Sequence, residues 1–317
     1  MLLQIGLLVV GFILLIKGAD WLVNGASSLA KKYNVSNLAI GLTVVAFGTS
    51  APELVVNVFA AAQGHQDIAF GNVIGSNIFN LFVILGIAGL ITPLVVKSST
   101  VWKEIPLSFI AIIALYFLAN NFFVTNSSLS RFDGVVLIVI FIIFLIYVYK
   151  QLKTADVDIS ISNETFSKYK VILLIVGGLI GLVVGGKFIV DSAVSIALDL
   201  GVSEKLISLT IVAFGTSLPE LATSIVAAYK RNVDIAVGNI IGSNIFNIFL
   251  ILGVSSVITP LNFDTVFNID LLFLAIGTSI LFLAMFTGKK KILDRWEAIL
   301  LLALYVGYTI FSIGKHS

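Results

Sequence analysis

The chain carries the same pair of motifs twice. The segment AFGTSAPEL (Ala46 to Leu54) returns as AFGTSLPEL (Ala213 to Leu221), and DIAFGNVIGSNIFN (Asp67 to Asn80) returns as DIAVGNIIGSNIFN (Asp234 to Asn247), both at an offset of 167 residues. The same offset relates the ITP triplets ending at Pro93 and Pro260, and Gly18 to Gly185. A fold that accommodates this must be built from two copies of one unit.

The unit belongs in a bilayer. Of 317 residues 59% are hydrophobic and only 11% charged, and the mean hydropathy is +1.11, too apolar for a water-soluble domain of this length. A hydrocarbon layer of about 30 Å takes roughly 20 helical residues. Cutting the sequence at charges and turn residues gives ten runs: Leu2 to Ile16, Leu38 to Ala62, Ile68 to Leu90, Ile105 to Phe123, Val135 to Tyr149, Val171 to Val190, Leu206 to Tyr229, Ile235 to Ile258, Val266 to Phe286 and Ala298 to Ile313. The first lacks a basic leader and a small-residue cleavage site, so it reads as a span. The expected fold is an all-α polytopic membrane protein of ten transmembrane helices. It divides into a first five-helix repeat (1–150), a connecting loop (151–170) and a second five-helix repeat (171–317). Five is odd, so the second repeat enters the membrane with the opposite polarity. Inverted repeats of this kind characterise secondary transporters, whose substrate site lies at the midplane between the halves.

Cation placement sets the expected orientation. With the N-terminus outside, 14 of the 19 Lys and Arg residues fall in inside connections, among them Lys31, Lys32, Lys97, Lys230 and Lys289 to Lys291. Both termini are therefore expected outside and the 151–170 loop in the cytoplasm. Lys17 with Asp20, and Lys187 with Asp191, sit near span ends and are expected to snorkel or pair locally.

Composition narrows the chemistry. A net charge of +2 with scattered cations gives nucleic acid no footprint. Zero Cys excludes disulfides, iron–sulfur clusters and thiolate sites, and two His leave little for zinc or haem. Oxygen ligands remain, and no cofactor or protein partner is implied.

Those oxygens are concentrated in the repeated motifs. Pro52 and Pro219 lack a backbone donor and crowd the carbonyl one turn earlier, so each breaks its helix near Gly48 or Gly215. Thr49, Ser50, Thr216 and Ser217 place hydroxyls at the breaks, and Glu53 and Glu220 follow. In the partner spans Asn72, Ser76 and Asn80 share one helical face, as do Asn239, Ser243 and Asn247. The pairs Gly71/Gly75 and Gly238/Gly242 allow neighbouring helices to approach closely. Counting from turns near His65 and Asn232 puts Glu53, Ser76, Glu220 and Ser243 about 17 Å deep, near the bilayer middle. An unpaired carboxylate there costs several kcal/mol. Hard oxygens with two negative charges suit Ca²⁺ or several Na⁺ ions. Asn77 and Asn244 read equally as ligands or as interhelical glue, and Asn72 and Asn239 as structural.

GTSAPEL with GNVIGSNIFN, and GTSLPEL with GNIIGSNIFN, resemble the paired alpha-repeats of the sodium/calcium exchanger family of the cation/calcium antiporter superfamily, prokaryotic type. The resemblance implies antiport of Ca²⁺ against Na⁺, usually three Na⁺ per Ca²⁺, at four central cation sites. Position by position it implies Glu53 and Glu220 as main ligands, joined by Thr49, Ser50, Thr216, Ser217, Ser76, Ser243, Asn80 and Asn247, with backbone carbonyls from Ala46 and Ala213. Some prokaryotic relatives have Asp where this chain has Asn247, so the pocket here has no third carboxylate. The resemblance also implies that the first and sixth spans slide as a pair past the other eight. The alternatives are a proton/calcium or potassium-dependent exchanger and, in another class, a passive cation channel. An intramembrane hydrolase would need a zinc motif or an aspartate dyad, and the sequence offers neither.

Overall fold

A computed structural model describes residues 2–120, 127–152, 166–200, 213–288 and 290–316. Its helices group into ten segments among the described residues. They are α1 (Leu2–Lys32), α2 (Asn37–Thr49 and Ala51–Ala62), α3 (Gln66–Ile91), α4 (Thr100–Asn120), α5 (Arg131–Leu152), α6 (Lys168–Asp199), α7 (Ala213–Gly215 and Leu218–Tyr229), α8 (Val233–Ile258), α9 (Thr265–Ala284) and α10 (Arg295–His316). Seven are long and apolar enough to cross a membrane, and α2, bent by 47° at its break, makes an eighth. The expected start of the seventh run, from Leu206, and the loop centre, 153–165, lie outside the described residues.

Two spans differ most from expectation. α1 runs to Lys32 rather than Ile16, and α6 to Asp199 rather than Val190. Charge ended the hydropathy run in the sequence but does not end the helix, because a backbone needs no apolar side chain to keep its own hydrogen bonds. At 1.5 Å per residue α1 is about 46 Å long, so it tilts or protrudes. Asp20 also departs from local pairing with Lys17: its Oδ1 lies 2.5 Å from Lys230 Nζ, on the α7–α8 turn.

Local signals set the other boundaries. Ser36 caps α2 by accepting from the Ala39 N–H, and Ser167 caps α6 through the Lys170 N–H. Ser130 and Asp133 form a reciprocal capping pair at the start of α5. The α2–α3 turn places Gly64 at φ +80°, and its repeat counterpart Arg231 takes φ +58° in the α7–α8 turn. Such left-handed conformations let a two-helix hairpin reverse in three residues.

The buried apolar residues form two separate clusters. The larger draws on α2, α3, α4, α5, α7, α8, α9 and α10, and contains nothing from α1 or α6. The smaller joins α1 and α6, through Leu15, Leu22, Leu182 and Ile189, to Ile40 of α2, Ala222 and Ala227 of α7 and Ile235 of α8. α1 and α6 lie antiparallel, backbone against backbone. A Cβ at Gly18 would sit 2.7 Å from the Leu182 nitrogen, one at Gly178 2.7 Å from the Leu22 nitrogen, and one at Gly185 2.6 Å from the Leu15 nitrogen. This helix pair therefore leans on an eight-helix bundle whose core it does not share.

The all-α expectation holds except for two short ladders. β1 (Leu94–Val95) pairs antiparallel with β4 (Ile292–Leu293), and β2 (Ser128–Leu129) with β3 (Leu261–Asn262). Leu94 and Leu261 are repeat counterparts, so each half exchanges one strand with the other at opposite ends of the bundle. The ladders place residues 94 and 292 on one face and 128 and 261 on the other, as inverted five-span halves require.

Candidate cation-binding centre

The breaks in α2 and α7 have nearly the same backbone geometry. Ser50 has φ −85° and ψ 5°, and Ser217 φ −86° and ψ 4°. Each residue ends one helical piece, and Pro52 or Pro219 stands in the first turn of the next, where a missing N–H costs nothing. The carboxylate that follows thus falls in the first turn of a helix, where the dipole favours negative charge.

The polar contacts cross between halves. The Ser50 hydroxyl donates to Glu220 Oε1 at 2.8 Å and lies 3.0 Å from the Ser243 hydroxyl. In the repeat-related arrangement, Ser217 approaches Glu53 Oε1 at 3.4 Å and Ser76 Oγ at 3.0 Å. Thr49 donates to Asn239 Oδ1 at 3.0 Å, and Thr216 to Asn72 Oδ1 at 3.2 Å. Hydroxyls that spend their proton this way keep their lone pairs for a cation. The Ala46 carbonyl accepts the Ser50 N–H at 3.0 Å, and Ala213 is the first described residue of α7.

α3 and α8 each widen to a π-helical turn where their candidate ligands Asn80 and Asn247 stand, over Phe79–Ile84 and Phe246–Leu252. Such turns recur at functional sites because they turn side chains off the regular helical face. Asn80 Nδ2 donates to Asn244 Oδ1 at 3.1 Å, and Asn247 Nδ2 to Asn77 Oδ1 at 2.9 Å. With its amide donor anchored in the opposite half, each side chain has only its oxygen free. Of the buried side-chain oxygens without a hydrogen-bond partner among the described residues, four belong to this centre: Glu53 Oε2, Glu220 Oε2, Asn80 Oδ1 and Asn247 Oδ1. All four residues are about 1% exposed. Lone pairs buried without donors are costly unless something positive meets them. The two described ion pairs, Lys97–Asp234 and Lys230–Asp20, involve neither glutamate.

The supporting contacts are visible around these groups. Asn72 and Asn239 keep the structural role read from the sequence: they accept the hydroxyl protons of Thr216 and Thr49 and are themselves held by Asn57 (2.6 Å) and Ser224 (3.0 Å). Asn57 and Ser224 escaped the sequence reading because they are chemically unlike, although they stand at equivalent positions. Asn77 and Asn244 orient the ligand amides. The close approach expected at glycine holds for Gly238 and Gly242, where a Cβ would meet the Leu38 carbonyl at 2.9 Å and Ala46 Cβ at 2.8 Å. It is not seen at Gly71 and Gly75; the helix segment equivalent to their partner is mostly outside the described residues.

The orienting amides can be tested directly. Asn77→Leu leaves the Asn247 amide without its acceptor and free to turn its N–H group inward. Loss of such a supporting contact typically weakens metal affinity ~10- to 100-fold. Calorimetric titration of the purified variant with Ca²⁺ should show at least a ~10-fold rise in Kd, and Asn244→Leu the same.

Two inverted hairpins, each broken at a Thr-Ser-x-Pro-Glu turn and pooling buried oxygens where they meet, define a membrane carrier of the inverted-repeat class. The chain belongs to the sodium/calcium exchanger protein family, whose profile matches residues 3–150 and 170–314. It is 31% identical to the sodium/calcium exchanger MaX1 of Methanosarcina acetivorans, over 96% of this chain and 97% of that protein. It is 39% identical to the inner membrane protein YrbG of Escherichia coli, over 83% and 82%. A solved structure of the sodium-calcium exchanger NCX_Mj, soaked with zero Na⁺ and Ca²⁺, superposes with a TM-score of 0.84 at 37% identity, covering 98% of this chain and 99% of that one.

Proposed function

We propose that this protein is a secondary antiporter that exchanges Na⁺ for Ca²⁺ across the cell membrane by alternating access, three Na⁺ against one Ca²⁺. The observation that carries this reading is the set of four partnerless buried oxygens, two carboxylate and two amide, drawn equally from the two halves. Glu53 and Glu220 act as the main ligands, with Thr49, Ser50, Ser76, Thr216, Ser217, Ser243, Asn80 and Asn247 around them and the Ala46 and Ala213 carbonyls completing the set. Two carboxylates balance one Ca²⁺. Three Na⁺ leave a net charge of +1, and each full cycle moves one charge.

The functional halves are 1–150 and 171–317, joined by a cytoplasmic 151–170 connection, with both termini extracellular. The Lys and Arg bias supports this orientation. Contacts between segments that share a face support the alternation of spans, whichever face is inside: Lys97–Asp234 and β1–β4 on one, Gln66–Asn262 and β2–β3 on the other. The separate α1–α6 cluster supplies the moving part, since it slides without opening the eight-helix core.

Purified protein in Na⁺-loaded liposomes should take up Ca²⁺ when diluted into Na⁺-free buffer, faster with an interior-positive potential. Uptake driven by a pH gradient and indifferent to Na⁺ would overturn the coupling, and a K⁺ requirement would make it a potassium-dependent exchanger. Downhill Ca²⁺ flux without any counter-ion would make it a channel.

A further inference from the structure

Repeat-equivalent residues ought to have equivalent surroundings, and along the paths leading away from the two glutamates they do not. Beyond Glu53, Val55 is 54% exposed and Val56 38%; their counterparts beyond Glu220, Ala222 and Thr223, are 8% and 0%. The cover explains the difference. α1 packs along Leu218–Tyr229, whereas α6 makes no comparable contact with Ala51–Ala62. Val23 and Ala26 of α1 are accordingly buried, while their counterparts Val190 and Ala193 of α6 are only partly so. On the orientation proposed above, α6 leaves the outer part of α2 uncovered and α1 covers the inner part of α7.

The covered end is held by polar contacts. Lys230 Nζ lies 2.5 Å from Asp20 Oδ1 and donates to Asn24 Oδ1 at 2.7 Å, and Asn232 Nδ2 donates to Ser27 Oγ at 2.8 Å. The 167-residue offset names the groups that would meet at the outer end if α6 came down on α2. Lys187 stands for Asp20, Asp191 for Asn24, Val194 for Ser27, Gln63 for Lys230 and His65 for Asn232. Gln63, His65, Lys187 and Asp191 are all exposed. Gln63 can give Lys187 and Asp191 hydrogen bonds but no ion pair, and His65 would face a valine. The charge complementarity present at the inner end is missing at the outer one.

We propose that Lys230, with Asp20 and Asn24, is an inner latch that makes the outward-facing form the resting state of this carrier. This builds on the alternating-access reading. The latch acts by charge complementarity between the sliding pair and the α7–α8 turn, and it touches none of the ion ligands. Its release is the step that lets Thr223, whose buried hydroxyl has no partner, meet water from the inside.

Absence of native cysteine allows a clean test. Single reporters Val56→Cys and Thr223→Cys, on the outer and inner paths, are placed in membrane vesicles of defined sidedness and exposed to a membrane-impermeant thiol reagent without Na⁺ or Ca²⁺. Lys230→Gln should speed inside labelling of the Thr223 reporter about 3- to 10-fold and slow outside labelling of the Val56 reporter by no more than about twofold, because the outward-facing form is the major one at rest. That is the range expected for a partly exposed ion pair reinforced by one hydrogen bond. The swapped pair Asp20→Lys with Lys230→Asp should return both rates to within about twofold of the parent. Gln63→Lys with Lys187→Asp, which builds the missing outer pair, should shift labelling inward as Lys230→Gln does. Unchanged labelling in Lys230→Gln, or a swapped pair no better than the single variant, overturns the latch. Labelling needs no flux, so a failure of Na⁺/Ca²⁺ coupling in liposomes would be seen separately.

Discussion

Replacing Glu53 or Glu220 with Gln lowers Na⁺-driven Ca²⁺ uptake at least ~100-fold, about 2.7 kcal/mol at two tenfold steps. Gln keeps the size of Glu and retains one oxygen, so Ser217 can still approach position 53, and Ser50 position 220. What is lost is half of the negative charge in a site where, among the described residues, no cation of the protein pairs with it. A divalent ion then meets one carboxylate instead of two in a medium that screens poorly. The same substitution removes a buried charge that, without ions, has an oxygen with no partner. Both Gln variants should therefore melt higher than the parent in chelator, while losing the rise in Tm that Ca²⁺ gives the parent. Full exchange in both variants would remove these residues from the site. Lost exchange with an unchanged Ca²⁺-dependent Tm would separate transport from binding.

Gly18→Val should also depress exchange, by a different route. A Cβ there would lie 2.7 Å from the Leu182 nitrogen and 2.8 Å from the Gly178 carbonyl oxygen, both backbone atoms that cannot swing aside. Valine adds two further carbons at that point. α1 and α6 must then part along their length, and overpacking of this kind costs about 1–3 kcal/mol. On the sliding proposed above the pair also moves against the bundle in every cycle, so distortion at its seam affects rate as well as stability. Uptake should fall more than ~10-fold, with Tm lowered by several degrees. Gly6→Val on the same helix is the control, since nothing stands within 4 Å of a Cβ at Gly6, and it should exchange like the parent. A slow Gly6→Val or a fast Gly18→Val would contradict backbone contact as the reason for these glycines.

The centre was legible in the sequence because its residues are expensive. Glu53, Asn80 and their counterparts stand out against an apolar background, and the odd number of spans per half forces the two sets to meet. The Pro52 and Pro219 breaks followed from proline chemistry alone. The length of α1 was not legible, because its charged partner Lys230 is 210 residues away and a hydropathy window cannot see it. Nor were the π-helical turns at Asn80 and Asn247, where the apolar pattern continues while the hydrogen-bond ladder changes. Asn57 and Ser224 were hidden by their chemical difference. The two short ladders were hidden by their brevity, since two residues carry no strand pattern.

Those ladders bear on how such a chain could have arisen. Each half leaves its own two strand segments unpaired and takes both complements from a half of the opposite polarity. A lone five-helix ancestor would have faced the same need, met by a second copy inserted upside down. Fusion through a linker would turn that encounter between molecules into an encounter within one. Two separately expressed fragments, cut within 153–165, should consequently co-purify, and either alone should not give a stable carrier.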